Sequence, residues 1–279
     1  MQIELIGCTS AGKSSLAREI LRAARDAGED VVLGEDLVLG TLGLRPETPW
    51  RALALNLAGV AMAVRSWRSH RAFLGWVLGV LRRLPLPPLA RAHTLRNVLK
   101  RIGIYELIRR HSEPHEIVLV DEGVLQVAHY LLVHLSARVD PGLLPEFCRL
   151  APRPDVAVYL RPPTPVLVAR TLARGHKRIP DPTPERVSEF IGQAVQTFDA
   201  LAQHLAADGR LVTIAGLEPP TIAAGHSDDP QVARALSILA HGAQVVAPSA
   251  AVPQAGASAP HSPGRSLEAE SGLHGSITP

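Results

Sequence analysis

The chain has 279 residues, of which 46% are hydrophobic and 4% aromatic, so one or two domains with a core of mainly Leu, Val and Ala are expected. Its two cysteines, Cys8 and Cys148, exclude a disulfide framework and a cysteine cluster that binds a metal. The 29 Lys and Arg residues nearly balance the 26 Asp and Glu residues, which makes nucleic acid a disfavoured partner.

A phosphate-binding loop follows the first predicted strand. The apolar run Gln2–Ile6 leads into Gly7-Cys8-Thr9-Ser10-Ala11-Gly12-Lys13-Ser14, which fits the pattern G-x-x-x-x-G-K-[ST], and a helix is predicted over Ser15–Ala27. Glycines let the backbone N–H groups turn inward and bind phosphate at a helix N-terminus. The pattern predicts a nucleoside triphosphate site, with ATP as cofactor. The expected nucleotide-binding residues are Gly7, Thr9, Ser10, Ala11, Gly12, Lys13, Ser14 and Ser15.

Two residues of this loop have specific expected roles. Lys13 is expected to reach the β- and γ-phosphates, and the Ser14 hydroxyl is expected to bind Mg²⁺. No signal peptide is predicted, because the first strand begins at residue 2, so a cytoplasmic location is the default expectation.

A long helical segment separates the second predicted strand, Val31–Leu33, from the third. The residues from 35 to 116 are expected to form three or four helices, broken at Pro46, Pro49 and the Pro85–Pro88 segment. We interpret residues from about 40 to 115 as a helical insert in the domain. Its apolar runs are shorter than the roughly 20 residues that span a bilayer.

Membrane contact by this insert is the less favoured of two interpretations. Trp67 and Trp76 lie among arginines, as in a helix at a membrane surface. The favoured interpretation is a pair of helices packed on the core. The flanking arginines are Arg65, Arg68, Arg71, Arg82 and Arg83.

The third predicted strand, Ile117–Asp121, ends in a carboxylate. The C-terminal ends of parallel strands meet at one edge of the sheet, where the phosphate-binding loop also lies. Asp121 is therefore expected to hold Mg²⁺ together with Ser14. The alternative is an aspartate that caps the next helix.

Strands four and five are predicted over Asp155–Leu160 and Leu211–Ile214. The fourth leads into a basic helix, in which Arg170 and Arg174 are four residues apart and share one face. Such a segment suits a lid that closes over triphosphate, and a solvated basic helix is the alternative. The cationic residues of this lid are Arg170, Arg174, Lys177 and Arg178.

Strands that alternate with helices predict an α/β fold with a parallel sheet covered on both faces. We place a single domain over residues 1–246. Residues 247–279 are rich in Ala, Pro, Ser and Gly, which predicts a disordered tail.

The order and spacing of these motifs resemble the thymidylate kinase and deoxynucleoside kinase branch of P-loop kinases. The similarity includes the phosphate-binding loop, the strand that ends in Asp121, the strand over residues 154–160, the arginine lid and the segment Phe198–Ala202. The resemblance implies a three-layer P-loop NTPase fold with a five-stranded parallel sheet in the order 2-3-1-4-5. It also implies a small-molecule phosphate acceptor near the insert and lid arginines that clamp the donor.

Two further positions take their expected roles from this resemblance. A glutamate after the second strand acts as base in deoxynucleoside kinases, which makes Glu35 the first candidate here and Asp36 the second. Thymidylate kinases carry Asp-Arg after the third strand, whereas this chain has Asp121-Glu122. A carboxylate at that position repels a phosphorylated acceptor, so either an uncharged acceptor or a phosphate bound by Arg96 or Arg101 is expected.

The expected activity is an ATP- and Mg²⁺-dependent phosphotransferase that resembles thymidylate kinases. Its expected catalytic residues are Lys13, Glu35, Glu122, Arg170, Arg174 and Arg178. The alternative is a P-loop ATPase or a nucleotide-dependent regulatory switch, in which Asp121-Glu122 would serve hydrolysis. The sequence identifies neither the acceptor nor the oligomeric state, for which a homodimer is one option.

Overall fold

The fold is an open parallel β-sheet with helices on both faces. The computed structural model describes residues 1–135, 140, 142–176, 178–179 and 181–215. The predicted tail over 247–279, the domain boundary at 246 and Lys177 lie outside these residues. None of the helices in the described ranges combines the length and apolarity needed to cross a membrane.

Five strands form one sheet in the order β2-β3-β1-β4-β5, and all neighbouring strands are parallel. The strands are β1 Gln2–Ile6, β2 Val31–Leu33, β3 Ile117–Val120, β4 Val156–Arg161 and β5 Leu211–Ala215. Their number, their order and their approximate positions confirm the prediction from the sequence. Strand β1 leads directly into the phosphate-binding loop. Its last residue, Ile6, pairs with Tyr159 of β4, so the end of β4 lies beside the start of the loop.

The sheet is buried on both faces, and β3 shows this most directly. Ile117 and Leu119 belong to one hydrophobic cluster, whereas Val118 and Val120 belong to the other. Successive side chains of a strand point to opposite faces, so the two clusters lie on the two sides of the sheet. This arrangement confirms the three-layer α/β fold of P-loop kinases.

Nine helices lie among the described residues. They are α1 Lys13–Asp26, α2 Gly34–Thr41, α3 Arg51–Arg65, α4 Trp67–Arg83, α5 Pro88–His111, α6 Val127–Leu132, α7 Leu143–Leu150, α8 Thr164–Arg174 and α9 Pro184–Ala207. Helix α1 begins at Lys13, two residues before the predicted start, because Gly12 serves as its N-cap in a left-handed conformation (φ 98°). The lysine and serine of the loop therefore belong to the first turn of α1.

Four helices, α2 to α5, lie between β2 and β3, in agreement with the three or four expected over residues 35 to 116. Helix α4 packs on the core through Phe73, and the Trp76 ring stacks on Phe73 with 6.1 Å between centroids. Helices α3 and α5 cross at two glycines. A Cβ atom at Gly103 would lie 1.7 Å from the Gly59 carbonyl oxygen, so the two backbones touch directly.

Candidate active site

The phosphate-binding loop has the conformation that its glycines predict. Gly7 has φ 144°, and a Cβ atom there would lie 2.7 Å from the Leu160 carbonyl oxygen at the end of β4. Ser10 has φ 64°, a left-handed conformation that a serine rarely adopts. Backbone strain of this kind persists where the surrounding structure enforces it, and it concentrates at functional sites.

Lys13 folds back over the loop. Its Nζ donates hydrogen bonds to the carbonyl oxygens of Gly7 (3.0 Å) and Cys8 (3.1 Å), and the side chain is buried. Burial lowers the pKa of the Lys13 ammonium, while the carboxylates of Glu122 and Asp121 act to raise it. A buried cation at the mouth of an anion-binding loop favours a polyanionic ligand such as a triphosphate.

Ser14 and Asp121 meet at the edge of the sheet, as predicted for a metal site. The Ser14 hydroxyl donates to Asp121 Oδ2 at 2.5 Å, and Asp121 Oδ1 is buried without a hydrogen-bond partner. Burial raises the pKa of Asp121, against the Ser14 hydrogen bond and the Lys13 charge. A buried acceptor beside a hydroxyl fits Mg²⁺, which uses one or two carboxylates and takes its other ligands from phosphate and water.

Glu122 is held by two residues. Its Oε2 accepts hydrogen bonds from Arg101 Nη2 at 2.6 Å and from the Tyr130 hydroxyl at 3.1 Å. Arg101 also donates to the Glu122 carbonyl oxygen, and only 14% of the arginine side chain is exposed. Arg101 of α5 therefore places a positive charge beside Glu122, directly after the third strand. Arg96, the other insert arginine considered for this role, is exposed and donates to Asn97.

Glu35 lies in the first turn of α2 between two cations. Its carboxylate accepts from Arg51 Nη2 (3.1 Å) and from Lys100 Nζ (3.3 Å), and Arg51 also contacts Asp36 at 3.4 Å. Burial acts to raise the pKa of Glu35, but Lys100, Arg51 and Arg101 outweigh it and the pKa is lowered. Glu35 is therefore an ionised carboxylate at the edge of the insert, which is the state that a base requires.

A buried carboxylate lies beneath the site, and no motif in the sequence indicated it. Glu4 of β1 is 1% exposed, and its Oε1 accepts from the backbone N–H groups of Gly123 (3.1 Å) and Gln126 (3.0 Å). The Gln126 side chain donates in turn to the Gly7 carbonyl oxygen at 3.2 Å. Glu4 thus fixes the turn after Asp121, and Gln126 ties that turn to the phosphate-binding loop.

The predicted lid contacts the loop through small polar groups. The Thr171 hydroxyl, on α8, donates to the Ser10 hydroxyl at 3.2 Å. Two residues after the end of α8, His176 Nε2 lies 3.3 Å from Thr9 Oγ1. Arg174 is exposed, and Arg170 is partly exposed on the same helix. The two arginines therefore lie on a helix attached directly to the phosphate-binding loop, and their role toward the transferred group stays a prediction.

Arg178 follows α8 and binds the end of α6. Its guanidinium group donates to the carbonyl oxygens of His129 (3.1 Å) and Val133. It also lies 3.2 Å from His129 Nδ1. Its guanidinium carbon also lies 5.4 Å from the centre of the Phe190 ring. Burial lowers the pKa of Arg178 to about 10. In this conformation Arg178 anchors the lid, and a role in neutralising phosphate requires its release from α6.

No protein-family model and no curated protein matches the chain. Among solved structures, the chain is similar to three structures of deoxyadenosine kinase from M. mycoides. The structure with bound dCTP is 13% identical, the one with bound dATP is 14% identical, and both have a TM-score of 0.45. The structure with the products dCMP and a flexible dCDP is 13% identical, with a TM-score of 0.46. Each comparison covers 86% of this chain and 100% of the other. The strand order itself assigns the P-loop kinase fold.

Proposed function

We propose that the protein is an ATP- and Mg²⁺-dependent phosphotransferase whose acceptor is the hydroxyl group of an uncharged small molecule. The observation that carries this proposal is the arrangement at the edge of the sheet. Lys13 lies across the phosphate-binding loop, and the Ser14–Asp121 pair leaves one buried carboxylate oxygen without a partner. These groups suit the β,γ-phosphates and their Mg²⁺, and Mg²⁺ would neutralise charge on the phosphates.

The acceptor side of the site supports a neutral acceptor. Arg51 and Lys100 are both bound to Glu35, and Arg101 is bound to Glu122. A phosphate group on the acceptor would have to compete with a carboxylate for each of these cations. At 4 Å and the effective dielectric of a surface site, repulsion from one such carboxylate costs about 4 kcal/mol. An uncharged hydroxyl compound avoids this cost.

Glu35 is the proposed base for this hydroxyl. It is ionised, and Arg51 and Lys100 hold it in one orientation at the start of α2. A positioned carboxylate can orient the hydroxyl toward the γ-phosphate and accept its proton as the new bond forms. The resemblance of the motifs to the deoxynucleoside kinase branch makes nucleosides the first acceptors to test.

The test is a product assay with the full chain. The protein is incubated with Mg·ATP and matched pools of nucleosides and their 5′-monophosphates, and phosphorylated products and ADP are quantified by mass spectrometry. We expect ADP and a new nucleoside monophosphate in equal amounts. Lys13→Ala is expected to lower turnover by at least about a hundredfold, and Glu35→Gln by about a hundredfold to ten-thousandfold. Glu29→Gln, on the exposed segment after α1, is the control.

Other outcomes would contradict the proposal in different ways. ADP and free phosphate without a new product would indicate an ATPase, in which Glu122 orients water. Phosphorylation of the monophosphate pool alone would contradict the neutral acceptor and would require Arg101 to exchange Glu122 for phosphate. ATP binding without turnover toward any pool would indicate a regulatory switch.

A further inference from the structure

An exposed apolar face runs along α3, and none of the chemistry proposed above uses it. The face consists of Trp50, Leu53, Leu57 and Val64, and it continues into Trp67 at the start of α4. These side chains are 68%, 52%, 63%, 62% and 45% exposed, in that order. They are five of the seven large hydrophobic residues that are exposed among the described residues. Exposed apolar residues that cluster in this way mark an interaction site.

The face is a continuous stripe on the outer side of the helix. The inner side carries Leu55, Gly59 and Ala63, which are buried, and Gly59 touches α5 directly. Leu53 and Leu57 each lie two residues from this inner row, about 160° around the helix at 3.6 residues per turn. No charged residue interrupts the helix between Arg51 and Arg65. Helix α3 is therefore apolar on both sides, and only one side is covered by the protein.

The charge around this face is strongly one-sided. The 58 residues from 48 to 105 contain ten Arg and Lys residues and no Asp or Glu. The rest of the chain holds the other 19 basic residues and all 26 acidic ones. Arg65, Arg68 and Arg71 are exposed and lie close to Val64 and Trp67 in the sequence, and within the described ranges none of the three forms an ion pair. The apolar face thus lies in a segment whose charged residues are all basic.

We propose that the face of α3 docks the protein on an anionic lipid surface. Leu and Trp side chains would enter the boundary between headgroups and acyl chains, and the three arginines would bind anionic headgroups. Tryptophan suits this position because its ring is apolar and its N–H is polar. A second copy of the chain would satisfy the apolar side chains, but it would bring two acid-free basic segments together. Charge complementarity therefore favours lipid as the occupant.

The structure changes which part of the insert serves as the membrane-facing element. The sequence suggested Trp67 and Trp76 together, but Trp76 is half-buried and packs against Phe73 and Phe147 of the core. Helix α4 is thus a core helix, as the favoured interpretation predicted. The exposed tryptophans are Trp50 and Trp67, at the two ends of α3.

The test is vesicle flotation with the full chain, combined with tryptophan fluorescence. One set of vesicles is phosphatidylcholine alone, and the other also contains phosphatidylglycerol. We expect the protein to float with the anionic vesicles, with a blue shift of its emission, and to bind pure phosphatidylcholine at least tenfold more weakly. High salt should weaken the binding, because screening removes the electrostatic part.

Three variants separate the contributions to binding. Leu57→Ser is expected to weaken vesicle binding about tenfold, because it removes one apolar anchor. Replacing Arg65, Arg68 and Arg71 by Gln is expected to weaken it about a hundredfold, at about fivefold per arginine. Replacing Arg22 and Arg25, which are exposed on α1, by Gln is the control, with two charges removed instead of three, and should leave binding unchanged. All replaced side chains are exposed, so circular dichroism and thermal unfolding should match the wild type.

The remaining outcomes decide against the proposal. Failure of the wild type to float with anionic vesicles would overturn it. A dimer in analytical ultracentrifugation that Leu57→Ser converts to a monomer, with no vesicle binding, would assign the face to a second copy. Equal loss of binding in the α1 control would show only a general charge effect. The Lys13→Ala protein should still float with anionic vesicles. Vesicle binding therefore tests the lipid proposal even if the proposed phosphotransfer proves wrong.

Discussion

Replacing Glu4 by Gln tests how the buried carboxylate supports the site. The backbone N–H groups of Gly123 and Gln126 both donate to the same oxygen of Glu4, Oε1, and the Leu125 backbone N–H also acts to lower the pKa of this carboxyl. The amide oxygen of glutamine can accept the bonds from Gly123 and Gln126, so Glu4→Gln removes the ionisable group and keeps its shape and these two contacts. Any change in stability with pH that differs between the two proteins then belongs to the Glu4 carboxyl.

The magnitude follows from the pKa of Glu4. Burial raises it from 4.5 to about 7, although the hydrogen bonds and Arg101 act to lower it. The folded protein therefore holds this proton more tightly than the unfolded chain does. The stabilisation is complete below pH 4.5 and is lost as the pH rises through 7. A difference of about 2.5 units at 1.36 kcal/mol each corresponds to about 3 kcal/mol.

Urea denaturation from pH 5 to pH 8 measures this effect. We expect Glu4→Gln to match the wild type within about 1 kcal/mol at pH 5 and to be about 3 kcal/mol more stable at pH 8. Titration of His129 and His134, whose pKa values burial lowers, affects both proteins equally and cancels in the difference. The exposed Glu29→Gln is the control. A stability difference that stays constant across this pH range would refute the reasoning.

Three further predictions concern the insert. Gly103→Ala should lower the free energy of unfolding by about 2 kcal/mol or more, because its Cβ would collide with the Gly59 carbonyl oxygen. Gly75→Ala, with open space around it on α4, should raise the same quantity by up to about 1 kcal/mol in the same denaturation assay. Arg101→Met should lower product formation at least tenfold. If Arg101→Met also lowers the free energy of unfolding, adding Glu122→Gln should recover part of that loss, and a double-mutant cycle measures this coupling. Equal stability of the two alanine variants, or full activity of Arg101→Met, would contradict these assignments.

The sequence predicted the parts of the fold that local patterns encode. The sheet order was implied by the resemblance to P-loop kinases. The strand positions, the phosphate-binding loop and the placement of Asp121 beside Ser14 follow from short apolar runs and one motif of fixed spacing. These features depend on residues close in sequence or on the shared edge of a parallel sheet. They could therefore be predicted before any tertiary contact was known.

The partners of Glu35 and Glu122 could not be predicted in the same way. Helix α5 is buried on more than one side, because Ile102 packs in one hydrophobic cluster and Ile104 and Ile108 in the other. A helix of this kind has no single apolar stripe, so its sequence does not reveal which face meets the site. Lys100 and Arg101 became assignable only once the packing of α5 was known.

Glu4 escaped prediction for a different reason. A single acidic residue in a strand of five suggests an edge or a solvated face, yet all five residues of β1 are buried. Its Oε1 accepts hydrogen bonds from two backbone N–H groups more than 100 residues away in the sequence, in the turn after Asp121. No local pattern encodes such a contact. The nearest signal was a polar residue within an apolar run directly before a phosphate-binding loop.

The insert joins the exposed face of α3 to the acceptor side of the site through one helix. Lys100 and Arg101 are consecutive on α5 and bind Glu35 and Glu122, and two residues later Gly103 touches α3. The backbones are in direct contact there, so α3 and the two cations belong to one closely packed unit. A cavity or collision at the crossing therefore disturbs stability and acceptor binding together. The nucleotide side, held by the loop and the Ser14–Asp121 pair, has further contacts of its own to β1 and β4, and Arg101 connects it to this crossing through Glu122, the residue after Asp121.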